Sequence, residues 1–146
     1  MDSAVQDSYI LPDLLSLLPY HISISPHFEQ AAIESSEWLH KFVDIIPPHK
    51  RAFFEQRGGE LLSGYAYHYA DPESLRAIMD FINLLFVYDD IGDDQNGKEA
   101  HKTGLILLNA FREPGGNDGS PLVQMVHEYV QSRSLMRQRV LTSRSE

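Results

Sequence analysis

Four aspartates, Asp89, Asp90, Asp93 and Asp94, lie within six positions directly after the run LLFVY. Carboxylates held this close repel one another and raise each other's proton affinity unless they share a cation. Oxygen ligands without His or Cys favour a hard divalent ion, Mg²⁺ or Ca²⁺. Of the two, Mg²⁺ typically takes one or two protein carboxylates and completes its octahedron with water and phosphate oxygens. Asp89, Asp90 and Asp93 are therefore candidate metal ligands.

The same acidic turn is also typical of a solvated helix end, and for the short motif alone that reading stays open. A calcium-binding EF-hand loop fits poorly. With a glycine at its sixth position, the loop would begin at Gly92 or Val87, where an acidic residue is required.

The element that carries the aspartates is the strongest predicted helix, which begins with Asp71 as cap and Pro72 in the first helical position. Residues at heptad-like spacing share one side of this helix: Leu75, Met79, Ile82, Phe86, Asp89 and Asp93. The first four are apolar and predict the face turned to the interior. Asp89 and Asp93 are thus predicted to be inward neighbours, with Asp90 about 100° around the helix, near the rim. Ile82 and Phe86 are predicted to line an apolar pocket whose rim holds the metal.

Further helices are predicted on both sides of this element. One begins with Ser25 as cap and Pro26, and a weaker one covers residues 50–69 with a kink or a local break at Gly58 and Gly59. Two more are predicted at residues 98–112 and after Pro121. No long stretch alternates with period two, so the fold class is all-α, an antiparallel bundle. We divide the chain into an N-terminal segment at residues 1–24, a bundle at 25–139 and a tail at 140–146.

Composition limits the function classes. The chain has 146 residues, a formal net charge of −9 and no cysteine, which excludes disulfides and thiolate chemistry. The negative charge disfavours a nucleic-acid partner. The N-terminus lacks the basic region of a signal peptide, and no apolar run is long enough for a membrane span. We therefore expect a soluble, cytoplasmic protein.

Three segments, PHFEQAAIESSEWL, LLSGYAYHYADPESLR and MDFINLLFVYDDIGDD, resemble class I terpene synthases, specifically fungal sesquiterpene synthases. The resemblance covers about residues 26–112. It implies a partial class I terpenoid synthase bundle and a carbon–oxygen lyase that uses Mg²⁺ to ionise and cyclise a prenyl diphosphate, such as farnesyl diphosphate. Asp89, Asp90 and Asp93 match the family's D-[DE]-x-x-D positions, and Phe86 matches an aromatic position that lines its pocket.

The sequence departs from that family in its second metal motif, Asn-Asp-x-x-Ser-x-x-x-Glu. Its only Asn-Asp pair, at residues 117–118, has Pro121 and Met125 where Ser and Glu are required. Family members are also longer, and the ending RQRVLTSRSE is typical of a chain that stops short. We therefore expect residues 1–146 to be inactive alone and to self-associate through unburied helix faces.

Two alternatives stay open. The chain could be a non-catalytic helical interaction module or degenerate gene product. An isoprenyl diphosphate synthase also carries an aspartate-rich motif, but it continues with Arg-Arg-Gly, where this sequence has DDQNGKEA.

Overall fold

The computed structural model describes most of the chain, with side chains for all described residues except Phe53 and residues 136–143. The described ranges are residues 10, 12–14, 16–17, 22–54, 56, 58–113, 115–116 and 119–143. Most of the predicted N-terminal segment, the Asn117–Asp118 pair and residues 144–146 lie outside these ranges. The division at residues 24 and 139 stays a prediction.

The described residues form α-helices and one short 3-10 helix at Val43–Ile45, and they contain no strand. The predicted all-α class is therefore confirmed. The helices are α1 (Phe28–His40), α2 (Pro48–Phe54), α3 (Gly59–Ala66), α4 (Pro72–Asp93), α5 (Gly97–Arg112) and α6 (Pro121–Ser143). Within the described part of the chain, no helix is long and apolar enough to cross a membrane.

Side-chain caps begin the two helices on either side of the aspartates. The Asp71 carboxylate accepts a hydrogen bond from the Ser74 backbone N–H at 2.9 Å, which confirms the predicted cap of α4. This bond and a second one from the Ser74 hydroxyl lower the pKa of Asp71. A capping box between Asn96 and Glu99 begins α5. This box was not predicted from the sequence, although Asn-x-x-Glu is one form of its signature.

The N-terminus of α1 differs from the prediction. The helix begins at Phe28 with His27 as its N-cap residue, and no side chain bonds there. The Ser25 hydroxyl instead accepts from the His27 N–H at 3.2 Å, so it closes the turn that precedes the helix.

The kink or break that was predicted at the paired glycines is a break, since α2 ends at Phe54 and α3 begins at Gly59. Gly58 has φ 65° and ψ 40°, a left-handed conformation that side chains disfavour, and it is the N-cap residue of α3. The break allows α3 to turn onto α4.

Helix α4 is the centre of the fold and packs against α1, α3, α5 and α6. Leu75 and Met79 are fully buried, as predicted, in a small cluster with Ala31 of α1. A larger apolar cluster joins α1, α4, α5 and α6 around Trp38 and Leu84. The packed side of α4 therefore holds the bundle together.

A buried polar network also joins α1, α3 and α4. The Ser35 hydroxyl donates to Asp80 at 2.8 Å, and the Asn83 amide donates to Ser35 at 3.1 Å and to Glu60 at 2.8 Å. The Arg76 side chain donates to Asp80 at 2.8 Å. Burial raises the pKa of Asp80, although the bonds from Arg76 and Ser35 act in the opposite direction.

Candidate metal centre

The aspartates occupy two different sides of α4. The packed side carries Asp80, Asn83, Val87 and Asp90, at steps of three or four residues. Asp90 is 0 % exposed, whereas Asp89 is exposed. The prediction that placed Asp90 near the rim is therefore wrong, because Asp90 continues the side of α4 on which the neighbouring helices pack.

Five residues on the other side of α4 form what we call the open face. They are Ile82, Leu85, Phe86, Asp89 and Asp93. The predicted helical phase is confirmed, since Asp89 and Asp93 share a side with Phe86. Their predicted inward orientation is wrong. Asp89 is exposed, and 60 % of the Asp93 side chain is accessible, although Lys50 of α2 reaches Asp93.

The open face is apolar up to its last two positions. Ile82 and Phe86 are half-buried, and Leu85 is 37 % exposed. The side chains that follow them on the same face are the carboxylates of Asp89 and Asp93. An apolar surface thus leads directly to two oxygen donors.

Phe86 also lines a small cavity between α1, α2, α3 and α4, together with Leu39, Phe54 and Asn83. The cavity has a volume of about 90 Å³, and Ile82 is not part of its lining. Typical ligand pockets begin at roughly 300 Å³, so this cavity does not hold a prenyl chain. The pocket role of Phe86 and Ile82 stays a prediction.

Lys50 of α2 provides the cation nearest to the acidic end of α4. Its ammonium donates to the Asp90 carbonyl oxygen at 2.9 Å and to Asp93 Oδ2 at 3.4 Å, and it lies 3.4 Å from Asp94 Oδ1. Desolvation lowers the pKa of Lys50, but Asp93 and Asp94 outweigh that effect, so its pKa is raised. The ammonium is therefore fully charged at neutral pH.

Lys50 was not among the site residues predicted from the sequence. Lys50 and Asp93 are separated by 43 positions, and no local pattern connects them. One signal was available. Carboxylates at the C-terminal end of a helix oppose the negative end of its dipole, so this end required a positive charge.

The donor set fits Mg²⁺ in part. Asp89 and Asp93 offer exposed carboxylates one helical turn apart, and Mg²⁺ requires only one or two such ligands. Asp90 does not fit, because its side chain is fully buried. Within the ranges that the structure describes, no three His, Cys, Asp or Glu side chains are grouped so that they could hold a metal ion.

Comparison with curated proteins gives relatives from fungi. The chain is 46 % identical over 121 residues to "Linoleate 10R-lipoxygenase COP4" of Coprinopsis cinerea, covering 83 % of this chain and 35 % of that protein. It is 39 % identical over 127 residues to "Bifunctional terpene synthase Agr4" of Cyclocybe aegerita, covering 87 % and 37 %. It is 38 % identical over 126 residues to "viridiflorene synthase Agr2" of the same fungus, covering 84 % and 32 %.

The matched region therefore spans about a third of the length of these relatives. No protein-family model matches the chain.

Proposed function

We propose that this chain, a homologue of fungal sesquiterpene synthases, forms the aspartate-bearing side of a Mg²⁺-dependent prenyl diphosphate site. The substrate class is a prenyl diphosphate such as farnesyl diphosphate. The observation that supports this proposal is the open face of α4, where apolar side chains lead to the exposed Asp89 and Asp93.

The residues of the open face have two roles in this proposal. Asp89 and Asp93 hold Mg²⁺ through carboxylate oxygens, while Ile82, Leu85 and Phe86 contact the prenyl chain. The face of the Phe86 ring can stabilise positive charge that develops on the hydrocarbon. When bound, Mg²⁺ supplies Lewis-acid stabilisation of the diphosphate leaving group.

Residues 1–146 supply one side of the site. Ionisation of the diphosphate requires water to be excluded while the leaving group is neutralised. Leu85, Asp89 and Asp93 of the open face are exposed, and the described residues contain no group of three His, Cys, Asp or Glu side chains that could hold a metal ion. We therefore propose that residues 1–146 bind metal and diphosphate weakly and do not cyclise the substrate alone.

The experiment that tests the site is a calorimetric titration of residues 1–146 with inorganic diphosphate in the presence of Mg²⁺. The variants are Asp89→Asn and Asp93→Asn, and the matched control is Asp44→Asn, an aspartate that is 91 % exposed and lies outside α4. We expect each open-face variant to weaken binding by about tenfold or more, since even outer partners of metal ligands contribute that much. Unchanged affinity in both variants, or no binding by the original chain, would refute the proposal.

A second function, a non-catalytic interaction module, is suggested by exposed apolar side chains on α3. Leu61, Leu62 and Tyr65 are each about half exposed, at 47 %, 56 % and 47 %. Such a surface favours pairing with another chain. Absence of Mg²⁺-dependent diphosphate binding, together with a dimer in light scattering, would favour this function.

A further inference from the structure

We propose that Lys50 is an internal cation that competes with the divalent metal for Asp93, so that metal binding at the open face requires the Lys50–Asp93 ion pair to open. This inference rests on the proposed function, because it assigns Asp93 to the metal. It concerns a lysine on α2, which lies outside the aspartate-rich motif.

The geometry makes Lys50 a built counter-ion rather than a passing surface contact. An ammonium has three N–H donors. The ammonium nitrogen of Lys50 lies 2.9 Å from the Asp90 carbonyl oxygen and 3.4 Å from a carboxylate oxygen of both Asp93 and Asp94. Only 16 % of the Lys50 side chain is exposed. The backbone N–H of Lys50 also donates to the Pro47 carbonyl at 2.8 Å, in the first turn of α2.

The position of the ammonium affects the two proposed metal ligands differently. Lys50 bonds to Asp93 Oδ2, so that carboxylate is already neutralised in part, and a positive charge 3.4 Å away repels an incoming cation. Asp89 is not an acceptor of Lys50. A divalent ion therefore binds Asp89 without hindrance and must compete with Lys50 for Asp93.

The competition leaves Lys50 in place after the metal binds. When Asp93 turns to the metal, the ammonium retains the Asp94 carboxylate and the Asp90 carbonyl oxygen. It remains as a positive charge beside the site. In the absence of metal, the same contacts reduce the repulsion between Asp93 and Asp94 at the negative end of the α4 dipole.

The test uses Mn²⁺ alone as the probe and measures free Mn²⁺ by electron paramagnetic resonance, so it does not depend on turnover. The variants of residues 1–146 are Lys50→Met, which removes the charge, and Lys50→Arg, which keeps it. Lys98→Met is the matched control, since it removes the same charge from an exposed lysine just beyond the acidic turn.

We expect Lys50→Met to tighten Mn²⁺ binding by about threefold to tenfold, the combined size of two partly exposed ion pairs. Lys50→Arg and Lys98→Met should stay within about twofold of the original chain, because solvent screens the charge of an exposed lysine. Equal or weaker binding by Lys50→Met, while the original chain binds Mn²⁺, overturns this inference and leaves the proposed function standing. No binding by either protein overturns both.

A second measurement covers the case in which Lys50→Met does not fold. Lysines of the original chain are reductively methylated with and without Mg²⁺, and the modified sites are read by mass spectrometry. We expect Mg²⁺ to raise the modification of Lys50 and to leave that of Lys98 unchanged. An unchanged rate at Lys50 would contradict the competition.

Discussion

Replacement of Gly59 by alanine tests how closely α3 must approach the open-face residues of α4. Gly59 is the first residue of α3 and is buried. A Cβ atom there would lie 2.8 Å from Asn83 Oδ1, 3.1 Å from Phe86 Cε2 and 3.4 Å from Ile82 Cγ2. The first distance is shorter than real Cβ contacts, so one of the two groups has to move.

The Asn83 side chain cannot move freely, because its amide donates to Ser35 at 3.1 Å and to Glu60 at 2.8 Å. Overpacking of this kind typically costs about 1–3 kcal/mol. Alanine recovers up to about 1 kcal/mol, since glycine disfavours the helix. We therefore expect Gly59→Ala to lower the free energy of unfolding by about 0–2 kcal/mol, and to be about 1–3 kcal/mol less stable than a Gly→Ala change that gains the same propensity without a clash.

The matched control is Gly97→Ala, since Gly97 is also the first residue of its helix but nothing lies within 4 Å of its added Cβ. This control should be neutral or slightly stabilising. Urea unfolding followed by far-UV circular dichroism measures both free energies. If Gly59→Ala were as stable as Gly97→Ala, the close approach of α3 to α4 inferred from the structure would be wrong.

Three further predictions concern the cap of α4, the buried carboxylate and catalysis. Asp71→Ala should lower the free energy of unfolding by about 1 kcal/mol at neutral pH. The pKa of Asp71 is lowered in the folded protein. The stability difference between the original chain and Asp71→Ala, measured by urea unfolding, should therefore disappear as the pH falls below 3.8 and then through the pKa of Asp71 in the folded protein. The pKa of Asp80 is raised in the folded protein, because the carboxyl is buried. The free energy of unfolding of the original chain relative to Asp80→Asn should therefore fall as the pH rises from 3.8 through the pKa of Asp80 in the folded protein. A difference that stays constant with pH would contradict this effect of burial. Residues 1–146 with Mg²⁺ and farnesyl diphosphate should give no terpene by gas chromatography, and terpene formation that is lost in Asp89→Ala would show that the site is complete.

The helices were predictable because their signals are local. Asp71 and Pro72 mark the start of α4, and Gly58 marks the break before α3, since each acts on its own backbone. The start of α1 was less predictable. Ser25 and Pro26 suit a helix N-terminus, but Ser25 is 2 % exposed and belongs to the preceding turn, because its N–H donates to the Gly64 carbonyl of α3.

The candidate site was predictable only in phase. Helical periodicity places Asp89 and Asp93 with Phe86, and the structure agrees. Periodicity alone does not state which side of a helix its neighbours cover. The apolar residues Leu75 and Met79 indicated one interior side, but the polar residues Asp80 and Asn83 also lie in the interior, so the true buried side is shifted toward Asp90. That shift depends on hydrogen bonds from α1 and α3, which no local pattern contains.

The polar network between α1 and α4 fixes the position of α1 along α4. Apolar ridges alone would allow α1 to slip by one turn along α4 at modest cost, because one methyl group contacts another almost equally well. After such a slip, Asp80 and Asn83 would lose their bonds to Ser35, at about 1–3 kcal/mol for each buried group left unsatisfied. Ser35 of α1 thus sets which turn of α4 it packs against, so apolar residues of the α1–α4 interface can be exchanged while these hydrogen bonds keep the two helices in place.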